Sequence, residues 1–296
     1  MSEATLAALA PLFAGAMEVT YGGYGDPTIS PLLGEAVRIA RQAGAAVRVI
    51  TGGAALGSAQ IKDLCDAGLD RLVLSMDGAR DETLRSLRGV PLSAYLGWLR
   101  GVREARAADT FRPLLQLNFV AQRDNIAELP ELVELCDREG VAGIDVVHIN
   151  VYDGSGGEKS LLANPAGAEP WFEQARRIAS RLGVFLHLPP LDGLAIPCRQ
   201  PFEHLFIRHD GRVRGCCSAA FDPGDYGLEV GDLSLSPEQL WSAPILQQFR
   251  AASEQGRDED LPTPCQSCSF RLPSLQAHLR PLQQPTTRIG EHRARP

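Results

Sequence analysis

Four cysteines in the last third of the chain carry the strongest chemical signal. Cys198 and Cys216 are spaced C-x17-C and, after a long gap, Cys265 and Cys268 are spaced C-x2-C. A C-x2-C pair can set two thiolates on one metal centre, and two distant cysteines can complete a four-sulfur shell. Zinc and iron–sulfur clusters both accept such a shell, and spacing alone does not separate them. Cys217 adjoins Cys216; on a strand their side chains point to opposite faces, so one of the two is a ligand. Cys65 and Cys136 fall on apolar helical faces and read as core residues. His204 and His209 read as surface or packing residues of a hairpin.

A second set of residues could hold a small polar ligand. Tyr21-Gly22-Gly23-Tyr24-Gly25-Asp26-Pro27 combines glycines, which let backbone turn sharply and approach a ligand, with a carboxylate that could meet an ammonium group. Thr51-Gly52-Gly53 follows, then Ser75-Met76-Asp77-Gly78, whose hydroxyl and carboxylate suit ribose hydroxyls. Asn118 comes next. Taken singly, each reads better as a turn, a cap or a solvated polar group than as a ligand contact.

The elements that position these residues alternate strand and helix. Apolar, β-branched runs give strands over Met17–Tyr21, Ala46–Ile50, Arg71–Ser75, Leu114–Val120, Ile144–Ile149 and Val184–Leu188. Helical faces lie between them: Leu32, Ala36, Ile39 and Ala40 before Gly44; Ile61, Leu64 and Cys65 before Gly68; Leu129, Leu132, Val133 and Cys136 before Gly140. This is the grammar of an α/β fold with a parallel sheet, open or curved into a partial (β/α) barrel of about five to six strands. In such sheets the chemistry sits on loops at the strand C-terminal ends, where the glycine and serine motifs fall.

Asp153 to Pro170 reads as a long loop, with a helix over Trp171–Leu182 after it. Beyond Pro190 the grammar changes. His204 to Arg208 and Arg212 to Arg214 flank Asp210-Gly211, a pair suited to a type I′ turn. Ser236-Pro237 opens a helix with Ser as N-cap. The organisation expected is residues 1–190 as the α/β unit, 191–276 as a cysteine-ligated unit and 277–296 as a disordered tail.

The net charge of −7 over 296 residues, with no clustered basic surface, argues against nucleic acid as a partner. No apolar run is long enough for a membrane span. Residues 4–17 are apolar, but Glu3 stands where a signal peptide needs positive charge, so a short helix capped by Ser2 is expected. The protein is then cytoplasmic, and seven cysteines in a reducing compartment read as ligands or core rather than disulfides.

Taken together and in order, the loops resemble those of the radical S-adenosylmethionine (SAM) superfamily. The resemblance runs from about Leu6 to Leu188. Gly23 to Pro27 is similar to that family's Gly-Gly-Glu-Pro motif, with Asp26 one methylene shorter than the usual Glu. Thr51 to Gly53 resembles Thr-Asn-Gly, with Gly52 in place of Asn, and Ser75 to Gly78 resembles Ser-x-Asp-Gly. The resemblance implies SAM contacts from Gly23, Gly25, Asp26, Pro27, Thr51, Ser75, Asp77, Arg88 and Asn118, with Val146–Val151 flanking the adenine. Pro197-Cys198, Gly215-Cys216-Cys217, Gly231-Asp232, Leu240-Trp241 and Cys265 to Cys268 resemble the SPASM domain, and its shortened "twitch" form most. That implies one auxiliary [4Fe–4S] cluster on Cys198, Cys216, Cys265 and Cys268, with zinc as the alternative metal.

One departure bears directly on activity. That family's SAM-cleaving cluster is held by a C-x3-C-x2-C loop after the first barrel strand, and no such run occurs here. The resemblance therefore implies a barrel without its first strand and a sequence truncated at its N-terminus. The activity implied is hydrogen abstraction from a peptide or small molecule by the 5′-deoxyadenosyl radical, with electrons from a flavodoxin- or ferredoxin-type donor. Two other readings stand beside it: a paralogue lacking the cluster loop that acts as a peptide-binding or redox module, and a zinc-stabilised scaffold. No catalytic acid, base or nucleophile is named by the sequence.

Overall fold

The computed structural model describes residues 1–23, 25–106, 112–149, 157–191, 198–216 and 228–266. Six parallel strands lie side by side in chain order: β1 (Glu18–Tyr21), β2 (Ala46–Thr51), β3 (Arg71–Ser75), β4 (Leu114–Ala121), β5 (Gly143–His148) and β6 (Phe185–His187). Each boundary falls within one residue of the one expected from the sequence. β1 and β6 do not pair, so the sheet is open.

Helices α1 (Glu3–Ala8) and α2 (Ala10–Phe13) precede the sheet. Ser2 caps α1, its Oγ accepting from the Thr5 N–H at 3.1 Å, as the sequence indicates. Helices α3 (Leu33–Gln42), α4 (Ser58–Asp66), α5 (Asp81–Arg88), α6 (Leu92–Ala105), α7 (Leu129–Glu139) and α8 (Pro165–Leu182) connect the strands. Their apolar stripes, such as Leu33, Ala36, Val37 and Ala40 of α3, share one core with Val47, Val49, Leu72, Leu74, Leu115, Leu117, Phe119, Ile144 and Val146. Each large side chain among them contributes roughly 1.5–3 kcal/mol by leaving water. Helices α5, α7 and α8 stop where Gly89, Gly140 and Gly183 turn left-handed (φ 69°, 64° and 73°).

The structure corrects two expectations. The helix expected from Trp171 starts six residues earlier, at Pro165, and is preceded by 3-10 turns at Gly157–Lys159 and Leu161–Ala163. Pro165 sits in the first turn, where its missing N–H costs nothing, and it marks the start better than composition does. The Asp210-Gly211 turn is not type I′, which needs two left-handed residues, because only Gly211 has positive φ there (86°). Residues 277–296 lie outside the described residues.

The C-terminal unit is a three-stranded antiparallel sheet of β7 (Phe206–Ile207), β8 (Arg212–Arg214) and β9 (Glu229–Asp232). Helices α9 (Gln200–Glu203), α10 (Pro237–Trp241), α11 (Pro244–Glu254) and α12 (Thr263–Gln266) surround it. Ser236 and Gln239 form a capping box on α10. Among the described residues no helix is long and apolar enough to cross a membrane.

Side chains of the main sheet alternate between the helix-covered face and an open face. Parallel pairing aligns the open-face residues in rows across the strands. A lower row is Thr20, Arg48, Arg71 and Leu114, and an upper row is Ser75, Asn118, Asp145 and His187. Below that lower row Glu18 pairs with Arg71 and lies 3.4 Å from Arg48. These half-exposed pairs orient their side chains and add little stability.

Buried polar side chains fix the upper loops. Asn125, fully buried, donates to the carbonyls of Asp77 (3.0 Å) and Val120 (2.9 Å) and accepts from the Gln122 N–H (2.9 Å). Glu128 accepts from the Ala79 N–H (2.8 Å), the Arg80 N–H (3.1 Å) and the Thr83 hydroxyl. Removing a buried partner leaves the other group unsatisfied. Asn125→Ala is therefore expected to destabilise the fold by on the order of 2–3 kcal/mol. Thermal and urea midpoints measure this, and unchanged midpoints would show that these bonds do not hold the loop.

Candidate active site and cysteine centre

The glycine loop after β1 is held at three points. A Cβ on Gly22 would lie 3.2 Å from the Ile50 Cβ, and one on Gly23 (φ 105°) would lie 3.0 Å from the Phe206 ring. At its far end Asp26 accepts from the Thr28 N–H (2.9 Å) and hydroxyl (2.5 Å). It also accepts from the Thr51 hydroxyl (2.8 Å to each oxygen) and the Gly52 N–H (2.8 Å). Pro27 opens the 3-10 turn Pro27–Ile29. Asp26 thus staples the loops after β1 and β2, and both its oxygens are engaged. Burial pushes its carboxyl up, but the bonds from Thr28, Thr51 and Gly52 outweigh that and hold it below the usual value.

A lowered folded-state value means that the staple contributes fully above the ordinary carboxylate range and is lost as pH falls through the lowered value. Asp26→Asn should therefore flatten the acid limb of stability between about pH 5 and pH 2. Urea midpoints across that range check it; an acid limb as steep as that of the unsubstituted protein would overturn it.

The loop after β3 is built alike. Asp77, nearly buried, accepts from the Val120 N–H (2.8 Å) and from Arg88 Nε (2.5 Å). The Tyr95 hydroxyl donates to the Ser75 carbonyl (2.9 Å), and burial pushes its pKa up to about 12. Trp98 meets Tyr95 edge-on at 5.1 Å, and its ring fills the place where a Cβ on Gly53 (φ 87°) would sit. Gly53 is thus fixed by both backbone conformation and packing.

Of the expected contacts, Asp26 and Thr51 come together, Asp77 and Arg88 pair with each other, and Ser75 and Asn118 are register neighbours. Among the described residues the Ser75 hydroxyl and the Asn118 amide make no side-chain hydrogen bond. Gly25 (φ 86°) borders open space. Val146 does not face this site: it is buried in the core under the helices, while Val147 is exposed. Residues 150 and 151 lie outside the described residues.

Two functional candidates escaped the sequence. Asp145 pairs in register with Asn118, and His187 with Asp145, so both continue the Ser75–Asn118 row. His187 Nδ1 lies 2.6 Å from Asp145 Oδ1. With the proton on Nδ1, the carboxylate holds the ring and leaves Nε2 as an acceptor. Alternation along each strand gives the face of both residues, but only the pairing register brings them together.

In the C-terminal unit Cys198, Cys216 and Cys265 converge on one small core with Leu228, Phe249, Ala252, Leu261 and Phe202. Phe202 and Phe249 pack edge to face at 6.1 Å. Gly215 precedes Cys216 because a Cβ there would lie 2.5 Å from Leu246. Among the described residues no three Cys, His, Asp or Glu side chains close a metal position by themselves. Cys217 and Cys268 lie outside those residues. Three thiols sharing one apolar core, with Cys268 as the C-x2-C partner of Cys265, fit a thiolate-held metal centre. Cys65 and Cys136 sit in the main core, where burial pushes both thiols up, as expected of packing residues. His204 and His209 are exposed.

Residues 198–269 match the SPASM family, an iron–sulfur cluster-binding domain, and that span holds all four candidate ligands. This chain carries a SPASM-family match in its C-terminal unit, and its α/β fold is similar to that of radical SAM enzymes. It is 28% identical over 264 residues to a PqqA peptide cyclase of Gluconobacter oxydans, covering 86% of this chain and 69% of the relative. It is 31% identical over 156 residues to an AdoMet-dependent heme synthase of Methanosarcina barkeri, covering 52% of this chain and 43% of the relative. Streptococcus suis SuiB bound to S-adenosylmethionine superposes with a TM-score of 0.66 at 14% identity, over 83% of this chain and 60% of SuiB. Native anSMEcpe with bound AdoMet gives 0.64 at 13% identity, over 86% of this chain and 74% of anSMEcpe. This chain thus spans about 60% of the length of SuiB.

In the SPASM domain, Cys265→Ser is expected to abolish stoichiometric metal binding after anaerobic loading and to lower the stability of the C-terminal unit, since metal binding and folding are linked there. Metal analysis with thermal melting tests this; full metal content in the variant would remove Cys265 from the ligand set.

Proposed function

We propose that this chain supplies the SAM-binding sheet and the auxiliary-cluster domain of a radical-SAM-type enzyme that modifies a peptide. The observation that carries the reading is the upper row of the open face. Ser75, at the end of β3, and Asn118, its register neighbour inside β4, make no side-chain hydrogen bond among the described residues. Ser75 and Asn118 hold the nucleoside, and the backbone of Gly23 to Gly25 and of Gly52 and Gly53 approaches the methionine end. Asp26, Thr51, Asp77 and Arg88 act by holding those loops in place. Asp145 holds the His187 ring, which offers Nε2 to the substrate as a hydrogen-bond acceptor. Cys198, Cys216, Cys265 and Cys268 hold a [4Fe–4S] cluster.

Bound to a reduced [4Fe–4S] cluster, SAM supplies a radical that takes hydrogen from an unactivated carbon. The ligands of such a SAM-cleaving cluster are not among these 296 residues, which contain no C-x3-C-x2-C run. A peptide is the substrate class favoured because a relative aligned over 86% of this chain bears the name of a peptide cyclase. Electrons come from a flavodoxin- or ferredoxin-type donor. The engagement of both Asp26 oxygens favours a second reading, a peptide-binding or redox module that does not take up SAM.

Calorimetric titration with SAM separates the two. The first reading expects binding that Ser75→Ala and Asn118→Ala each weaken about tenfold, equivalent to about 1.4 kcal/mol. No binding by the unsubstituted chain supports the second. Iron and sulfide analysis after anaerobic loading tests the metal, and zinc alone at stoichiometric content would overturn the cluster.

A further inference from the structure

Taking the glycine loop as the SAM loop proposed above, we infer that Phe206, on the first strand of the C-terminal sheet, is a positioning residue for it, so that the SAM site is complete only with the SPASM domain docked. Gly23 has φ 105°, and a Cβ there would lie 3.0 Å from Phe206 Cε2 and 3.2 Å from Cζ. The ring therefore lies against the loop backbone itself. Gly22 meets Ile50 of β2, so the loop is held between the parallel sheet on one side and the C-terminal hairpin on the other. Gly25, two residues on, borders open space.

The hairpin that carries Phe206 also leads to the cysteine centre. Phe206 pairs with Arg214 across β7 and β8, and Cys216 lies two residues beyond Arg214. The Gly215 N–H donates to the Leu228 carbonyl at 2.9 Å, and Leu228 belongs to the core that Cys198, Cys216 and Cys265 share. The C-terminal sheet is itself seated on the α/β unit: Ile207 of the hairpin and Leu233, just past β9, pack against both a C-terminal core and the main core, and so does Leu12 of α2. A metal that draws the cysteines together fixes the base of this hairpin, and the hairpin fixes the loop through Phe206. Metal occupancy and SAM affinity are then linked, and each ligand raises the affinity of the other by the same factor.

The test uses the full chain, loaded anaerobically with iron and sulfide to equal metal content. SAM is titrated calorimetrically into the unsubstituted chain, Phe206→Ala and Phe206→Tyr, and amide hydrogen exchange is followed over residues 21–28. Phe206→Ala should weaken SAM binding about tenfold, or about 1.4 kcal/mol, and speed exchange in that segment, with metal content and melting midpoint unchanged. Phe206→Tyr, which keeps the ring, should restore both. Removing the metal from the unsubstituted chain should loosen the same segment. SAM binding and exchange in Phe206→Ala equal to those of the unsubstituted chain would overturn the inference. If Phe206→Ala does not fold, Phe206→Leu replaces it under the same criteria. If the unsubstituted chain binds no SAM, the SAM reading fails by itself, and exchange alone decides whether Phe206 positions the loop.

Discussion

A one-residue slip in any pairing between β3 and β6 would turn Ser75, Asn118, Asp145 or His187 onto the helix-covered face. The upper row exists because four parallel strands keep one register. Apolar alternation sets it in part, since Leu115, Leu117 and Phe119 of β4 and Ile144 and Val146 of β5 are buried against the helices. Side-chain bonds between loops also oppose a slip. Asp77, just past β3, accepts from the Val120 N–H on β4, and Asn125 ties the Asp77 and Val120 carbonyls together. At the other end of the strands Asp70 accepts from the Val47 N–H on β2 and from Arg41 at the end of α3.

The same constraint explains why several residues suited to ligand contact are occupied by the fold. A half-buried carboxylate such as Asp26 loses hydration and needs replacement donors. The hydroxyls of Thr28 and Thr51 and the backbone N–H groups of Thr28, Gly52 and Ala54 provide them. Asp77 is nearly buried and relies on Arg88 and the Val120 N–H. Half-exposed Ser75 and Asn118 carry no charge and keep their polar groups toward the open face without such partners. The division between residues that hold the loops and residues that present to the site follows from charge and burial.

The strands were legible to within one residue because their apolar runs are bounded by glycine-terminated helices. The glycine and serine motifs were legible as loops at strand ends. The start of α8 was not, because Gly, Ala and Pro before Trp171 read as loop while Pro165 is a helix-start residue. The Asp210-Gly211 turn was misread because the dipeptide fits more than one turn, and the backbone of Asp210 decides between them. Asp145 and His187 lie 42 positions apart and meet only through parallel pairing, which no local pattern encodes. The contact of Phe206 with Gly23 is likewise a matter of docking between two units and has no local signature.

The size of the C-terminal unit explains why it leans on that docking. Among the described residues its two cores each hold five buried residues, and its strands are two, three and four residues long. Short sheets with so few buried side chains are marginal alone, and small domains of this kind rely on metals, disulfides or neighbours. Cys265 counts among the five buried residues of one core, so the cysteine centre is part of the core rather than an addition to it. The other core includes Leu12 of α2 among its neighbours, so it is completed by the α/β unit. One core thus depends on the cysteines and the other on the sheet and its leading helices. The hairpin β7–β8 packs in the second, and its continuation to Cys216 enters the first. That shared seating is the physical ground for the proposed coupling of the glycine loop with the cysteine centre.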